Sequence, residues 1–154
     1  MKTRYMRLLM RTEQSSLIEK KEVVQLKIPY PDIHSGLAKK LHMYICVKKV
    51  HSTKRLVKCQ SMKLSNIIGG TGVTNYIITP ADINHNPFAH TTLIDCDKLF
   101  VIDNVIPRAL LAKSRHDVSQ ALYDKIVGKL SISVPSRHKL SRDEISALNT
   151  GTEE

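Results

Sequence analysis

The chain lacks tryptophan altogether, and aromatic residues make up only 5% of its 154 residues. Its core must therefore be aliphatic, and 42% hydrophobic residues are enough to form one. No uninterrupted run of about 18 apolar residues occurs, so the sequence predicts no transmembrane helix. Cys46, Cys59 and Cys96 are widely spaced and form no Cys-x-x-Cys pair. Such spacing favours free thiols over disulfides or a zinc site, and we expect a protein of the reducing cytoplasm.

The motifs of several enzyme classes are also missing. There is no Gly-x-Ser-x-Gly of a serine hydrolase and no His-Arg-Asp of a protein kinase. The run Gly69-Gly70-Thr71-Gly72 lacks the Lys-Ser/Thr of a phosphate loop, so it predicts a turn or bulge. His85 and His90 lie in a proline-containing loop without helical zinc spacing. We therefore expect neither a metal nor a cofactor.

Positive charge is abundant and unevenly placed along the chain. Residues 1–60 hold 14 Lys/Arg against 4 Asp/Glu, whereas residues 61–154 hold 10 against 10. A polarised excess of this kind favours contact with a polyanion, although each lysine alone is typical of a solvated surface. We predict that six residues on two adjacent loops face one side and hold an RNA backbone: Lys39, Lys40, Lys48, Lys49, Lys54 and Arg55.

Short β-rich segments precede a region of helical periodicity. Strands are predicted at residues 23–28, 43–50, 56–62, 74–79, 93–96 and 98–102, with a loop at 32–40 and a hairpin turn at 51–55. Val118, Leu122, Ile126 and Leu130 recur every four residues and predict a helix over 117–130.

The capping-box sequence that begins at Ser141 predicts a last helix carrying Ile145 and Leu148 inward. We expect one α+β domain over residues 21–150, with a sheet that curls into a small barrel. Residues 1–20 are predicted to be a basic arm or an amphipathic surface helix.

Several segments occur in the order found in one family of toxins. Val-Val-Gln-Leu-Lys-Ile-Pro-Tyr-Pro-Asp (23–32) suits a first strand and its exit loop, and residues 39–47 suit a basic loop and an apolar strand. Lys58-Cys59-Gln60-Ser61 is followed later by Asp95-Cys96-Asp97-Lys98 and a helical stretch ending in Ile-Val-Gly-Lys-Leu-Ser. This layout, over about residues 23–131, resembles the PemK/MazF-like endoribonucleases of type II toxin–antitoxin systems.

The resemblance implies an SH3-like curled antiparallel β-barrel with C-terminal helices. It also implies a basic, cytoplasmic homodimer that cleaves single-stranded RNA by transesterification without a metal and is covered by an acidic antitoxin protein. The matching positions would be catalytic: His42, Lys40, Ser61 and Asp97.

Transesterification of RNA needs a group that moves protons and a cation or donor facing the charge on phosphorus. Histidine suits the first task and lysine the second. The chain departs from the family at the usual Arg-Pro pair, where it has Leu41-His42 or His42-Met43, depending on the alignment.

Other interpretations of the same residues remain open. His42 is equally compatible with a structural histidine, Ser61 with a hydroxyl that satisfies backbone groups, and Asp97 with a turn between two strands. The chain as a whole is also compatible with a non-catalytic nucleic-acid-binding module of the same barrel class, or with a protein-interaction module.

Overall fold

The computed structural model describes residues 18–62, 73–150 and 152, and in them six of the seven strands precede the two longer helices. The strands are β1 (Val23–Leu26), β2 (His42–Val50), β3 (Thr53–Ser61), β4 (Tyr76–Thr79), β5 (Thr92–Asp95), β6 (Lys98–Ile102) and β7 (Ser136–Lys139). The helices are α1 (Gly36–Lys39), α2 (Gln120–Ile132) and α3 (Arg142–Leu148), with a 3₁₀ turn at Arg108–Leu110. The predicted α+β class is confirmed. The glycine-rich run at 69–72 and all but the last three residues of the predicted arm lie outside the described residues.

The long strand β3 organises the sheet. One of its edges pairs with β2, and the other pairs first with β6 and then with β5. β5 and β6 therefore form one interrupted line antiparallel to β3. Beyond that line, β4 adds antiparallel to β5 and β7 adds parallel to β6. Within the described residues no pairing joins β1 to β4, so the sheet is open and mainly antiparallel.

Both faces of this sheet are buried, because apolar residues occupy consecutive positions in its inner strands. Successive side chains of a strand point to opposite faces. We name the faces by two adjacent residues of β2, the Tyr44 face and the Ile45 face. Ile145 of α3 packs on the Tyr44 face, whereas Leu122 and Ile126 of α2 pack on the Ile45 face.

Serine caps begin the two C-terminal helices. The hydroxyl of Ser119 accepts from Leu122 N at 3.2 Å, and that of Ser141 accepts from Glu144 N at 3.3 Å. An N-cap side chain satisfies an otherwise unpaired helical N–H, which sets the first residue of the helix. The helix predicted from the Ser141 capping box is confirmed; Ile145 is fully buried, whereas Leu148 is half-buried. The Ser119 cap moves the start of α2 to Gln120, three residues after the predicted Asp117.

Two local predictions are wrong, those of the hairpin turn and of the loop at 32–40, and one strand was not predicted. The hairpin turn occupies only His51 and Ser52, with His51 in the left-handed region at φ 57°, and residues 53–55 already belong to β3. The sequence Ser-Arg-His-Lys at 136–139 has no apolar alternation, yet it forms β7 by pairing with β6. The predicted loop at 32–40 also contains α1, whose N-cap is Ser35.

Candidate functional site

A cleft of about 510 Å³ lies across the end of the sheet where β2 begins and β3 ends. We call it the His42 cleft. Its polar lining includes two of the predicted catalytic side chains, His42 and Ser61, together with Gln60 and His90. The remaining lining residues are Leu41, Met43, Cys59, Phe88, Ala89 and Thr92.

His42 enters the cleft as the first residue of β2. It pairs with Leu26 of β1, and its Nδ1 lies 3.2 Å from the carbonyl oxygen of Lys40. A ring nitrogen held this way fixes the orientation of the imidazole. Strand alternation assigns His42 to the Tyr44 face and Ser61 to the Ile45 face, so the two faces contribute different walls of the cleft.

The opposite wall is the segment that leads into β5. Thr92 pairs with Ser61, and its hydroxyl donates to the carbonyl oxygen of His90 at 2.8 Å. The amide side chain of Asn86 holds the preceding loop, since its Oδ1 accepts from Phe88 N at 3.1 Å and its Nδ2 donates to Pro80 O at 3.0 Å. Because Asn86 is buried and bonded to both Pro80 and Phe88, it stabilises the loop that carries His90.

Lys39 and Lys40 immediately precede the cleft. The short helix α1 ends at Lys39, and both lysine side chains are exposed. The cleft itself has no Lys or Arg among the described residues that line it. The positive charge next to the cleft therefore comes from Lys39 and Lys40, which directly precede the lining residue Leu41, and not from the lining itself.

Asp97 lies elsewhere. It stands at the interruption between β5 and β6, about 16 Å along the strand from Thr92 at roughly 3.3 Å per residue. Its carboxylate accepts from Thr74 N at 2.7 Å, Thr74 Oγ1 at 3.1 Å and Asn75 N at 3.0 Å. Burial opposes ionisation of Asp97, but these donors outweigh it and its pKa is lowered. The structure thus places Asp97 at the start of β4 and not beside His42.

The six basic residues do not share one side of the protein, so that prediction is wrong. Lys48 and Arg55 are cross-strand partners on the Ile45 face, and Lys49 and Lys54 are partners on the Tyr44 face. These four lie near the hairpin turn, and Lys48 is about 20 Å along β2 from His42 at roughly 3.3 Å per residue. A register shift between Cys46 and Lys48 also lies between His42 and these four residues.

Lys54 is not a surface residue at all, which corrects its assignment as an RNA contact. Its side chain is fully buried, and its ammonium group donates to the carbonyl oxygen of Asn104. Burial lowers the pKa of Lys54 to about 8, because removal from water disfavours the charged form. Lys49 is also engaged, at 3.5 Å from Glu19.

The three cysteines are free and buried. Burial raises the pKa of Cys46 and of Cys96 to about 12, and it raises the pKa of Cys59 as well. All three thiols are therefore protonated at neutral pH. Although Cys59 lines the His42 cleft, it is not a nucleophile there, since the thiolate is the reactive form.

The sequence did not identify His90 or Gln60 as site residues. The spacing of His85 and His90 bears only on a metal site, and Gln60 occurs only as part of the Lys58–Ser61 run. The pairing of Thr92 with Ser61 brings His90 to the cleft, and Ser61 and Thr92 are 31 positions apart in the chain. A local pattern cannot reveal a long-range register of this kind.

No protein-family model, curated protein or solved structure matches this chain. Among the described residues no helix is both long and apolar enough to cross a bilayer. Residues 18–62 and 73–150 also contain no group of three or more His, Cys, Asp or Glu side chains arranged to hold a metal ion. The His42 cleft is therefore the basis for assigning a function.

Proposed function

We propose that this protein binds single-stranded RNA and cleaves it by metal-free transesterification in the His42 cleft. The observation that carries the proposal is that two imidazoles, those of His42 and His90, and the hydroxyl of Ser61 are among the groups that line one cleft. The exposed pair Lys39 and Lys40 at its rim supplies positive charge where a phosphate backbone would enter.

The chemistry fits these groups. The ribose 2′-oxygen attacks phosphorus and loses its proton to a base, while the 5′-oxygen leaves and takes a proton from an acid. Histidine serves either role near neutral pH, so His42 and His90 can act as a complementary pair. Ser61 and Gln60 can donate hydrogen bonds to the phosphate oxygens as charge builds on them.

The proposal includes the PemK/MazF-like relationship and its implications. The sheet would be an opened SH3-like barrel, in which β1, β2 and β3 precede the interrupted β5–β6 line. The active protein would be a homodimer inhibited by an acidic antitoxin that covers the His42 cleft. What supports this is the order of the segments, since His42 and Ser61 line one cleft although 18 residues separate them.

One observation favours a second candidate, a non-catalytic RNA-binding module of the same fold. The described residues that line the cleft include no arginine, and arginine is the side chain best suited to bidentate contact with phosphate. Such a module would bind RNA with the usual dependence on salt but would not shorten it.

One assay separates these functions. Labelled single-stranded RNA is incubated with the protein in the presence of a chelator, and the products are resolved and tested for a 2′,3′-cyclic phosphate. Cyclic-phosphate fragments are expected. Salt-dependent binding without cleavage would instead indicate the binding module. Absence of RNA affinity would exclude both and leave a protein-interaction module. Cleavage that the chelator abolishes would reject the metal-free scheme.

A further inference from the structure

A second concave surface, separate from the His42 cleft, lies between the edge strand β4 and the C-terminal half of α2. We call it the β4–α2 groove. Its volume is about 490 Å³, and it shares no lining residue with the His42 cleft. Tyr76 and Ile78 of β4 form one wall, and Gly128 and Ile132 of α2 form the other.

The groove is apolar and solvent-exposed. Ile132 is 75% exposed and Ile78 is 38% exposed, and Val134, just beyond the end of α2, is 91% exposed. Exposed aliphatic side chains grouped around a groove typically mark an interaction surface. A Cβ added at Gly128 would meet no atom within 4 Å, so the absence of a side chain there leaves the groove open.

A hydrogen bond joins the β4 wall of the groove to the α2 wall. Asn75, at the entry to β4, is buried, and its Nδ2 donates to the carbonyl oxygen of Lys129 at 2.7 Å. β4 pairs only with β5 among the described residues, so its other edge is available for a further strand. An exposed edge of this kind accepts an extended peptide through main-chain hydrogen bonds.

The positive charge of the groove indicates which kind of segment it binds. Lys125 and Lys129 lie one helical turn apart on α2 and both line the groove. A second copy of the groove would bring four ammonium groups together, and like charges disfavour that contact. Residues 1–17 hold Lys2, Arg4, Arg7 and Arg11 against Glu13, and residues 63–72 hold Lys63 and no carboxylate. Neither of these segments matches the two lysines, and Glu153 and Glu154 follow Thr152, which is bonded to α3 on the opposite face of the sheet from α2.

We propose that the β4–α2 groove binds an extended acidic segment of another protein, which adds as a strand to β4. Aliphatic side chains of that segment would fill the space over Gly128 between Ile78 and Ile132. Its carboxylates would pair with Lys125 and Lys129. The groove lies outside the RNA cleft, so this interaction does not depend on RNA cleavage and leaves the His42 cleft open.

The test uses the full-length protein and a fluorescent peptide of about ten residues that alternates glutamate with valine or leucine. The control peptide has lysine at every glutamate position. Anisotropy should give a Kd of about 1–100 µM for the acidic peptide and at least about tenfold weaker binding for the control. Saturating RNA should leave the affinity of the acidic peptide unchanged.

Two variants locate the binding site. Gly128→Leu should weaken the acidic peptide at least about tenfold by filling the groove, and its Tm should not fall, because leucine favours a helix more than glycine does. The double variant Lys125→Glu/Lys129→Glu should reverse the preference between the two peptides. The matched control Lys20→Glu/Lys113→Glu changes the net charge equally, at exposed lysines outside the groove, and should not.

Three results would overturn the proposal. Equal affinity for the two peptides, or none for either, would remove the charge argument. A dimer in sedimentation that Gly128→Leu dissociates would give the groove to a second copy of the chain. A tenfold gain in peptide affinity for Ile67→Ser/Ile68→Ser would indicate that residues 63–72 occupy the groove and compete with the peptide. None of these results by itself decides whether RNA is cleaved in the His42 cleft, which the cyclic-phosphate assay measures separately.

Discussion

The two ends of the β2–β3 hairpin carry similar basic and imidazole side chains in different surroundings. At the open end, His42 and Ser61 border a cleft, and Lys39 and Lys40 are exposed beside it. At the turn end, backbone pairing is continuous, Lys54 is buried and Lys49 contacts Glu19. Within this hairpin the cleft lies at the end where the two strands stop pairing, so the side chains at that end are the candidate ligand-binding groups.

The largest expected effect is on RNA cleavage at the open end. His42→Ala should lower the rate about 100-fold or more, because a proton-transfer group typically contributes that much. The rate is measured with labelled single-stranded RNA under single-turnover conditions. His51→Ala is the matched control, since His51 is an exposed histidine at the turn end. A His42→Ala protein that cleaves like the parent would remove His42 from the mechanism.

The next effect concerns stability at the turn end. The pKa of Lys54 falls from 10.5 to about 8 on folding, so between these values the unfolded chain holds a proton that the folded chain lacks. Stability from this group therefore rises with pH across that window. Relative to Lys54→Met, the parent should gain about 2 kcal/mol in unfolding free energy between pH 7.5 and pH 10.

Urea denaturation at the two pH values measures this difference. Tyr44, Cys59 and Cys96 also titrate abnormally, but they are present in both proteins and cancel. Cys46 interacts with Lys54 and is therefore replaced by alanine in both proteins. Lys48→Met is the control for removal of an exposed positive charge at the same end of the hairpin. A difference between Lys54→Met and the parent that stays constant with pH would mean that Lys54 keeps its ordinary pKa in the folded protein.

A smaller effect is expected on RNA affinity. Lys39→Ser/Lys40→Ser should weaken binding about tenfold at low salt and reduce the slope of log K against log salt by roughly 1.4, at about 0.7 per phosphate contact. The pair Lys48→Ser/Arg55→Ser removes the same charge at the turn end and should change both quantities less. Equal effects from the two pairs would show that RNA covers the whole hairpin. Salt titrations by anisotropy provide the measurement.

The smallest effect separates a structural carboxylate from a catalytic one. Asp97→Asn should cost about 1 kcal/mol of stability by weakening the bonds from Thr74 and Asn75. The pKa of Asp97 is lowered in the folded state, so this contribution is present above the ordinary value of 3.8 and is lost as pH falls below it. Thermal unfolding at pH 7 and pH 3 should show the two proteins converging in acid.

Cleavage by folded Asp97→Asn should equal that of the parent. A rate loss comparable to that of His42→Ala would show that Asp97 takes part in cleavage and that its role is not only structural.

Part of the site followed from local chemistry. The first residue of an apolar strand and the last residue of its partner meet at one end of a hairpin, so His42 and Ser61 were predictable as neighbours of the same cleft. Asp97 lies between two strands, as one interpretation of the sequence expected, but its separation from His42 was not predictable, because it depends on how β5 and β6 pair with β3. His90 depended on the Ser61–Thr92 register in the same way.

The sequence by itself determined the elements with strong local signals. Alternation and β-branching specified most of the strands, the Ser141 capping box specified α3, and four-residue spacing specified the buried side of α2. The tertiary structure decided which basic residues reach solvent, where β7 pairs, and which loop closes the His42 cleft. Burial and strand pairing depend on residues far apart in the chain. The same lysine side chain is therefore a surface group at position 48 and a buried, desolvated amine at position 54.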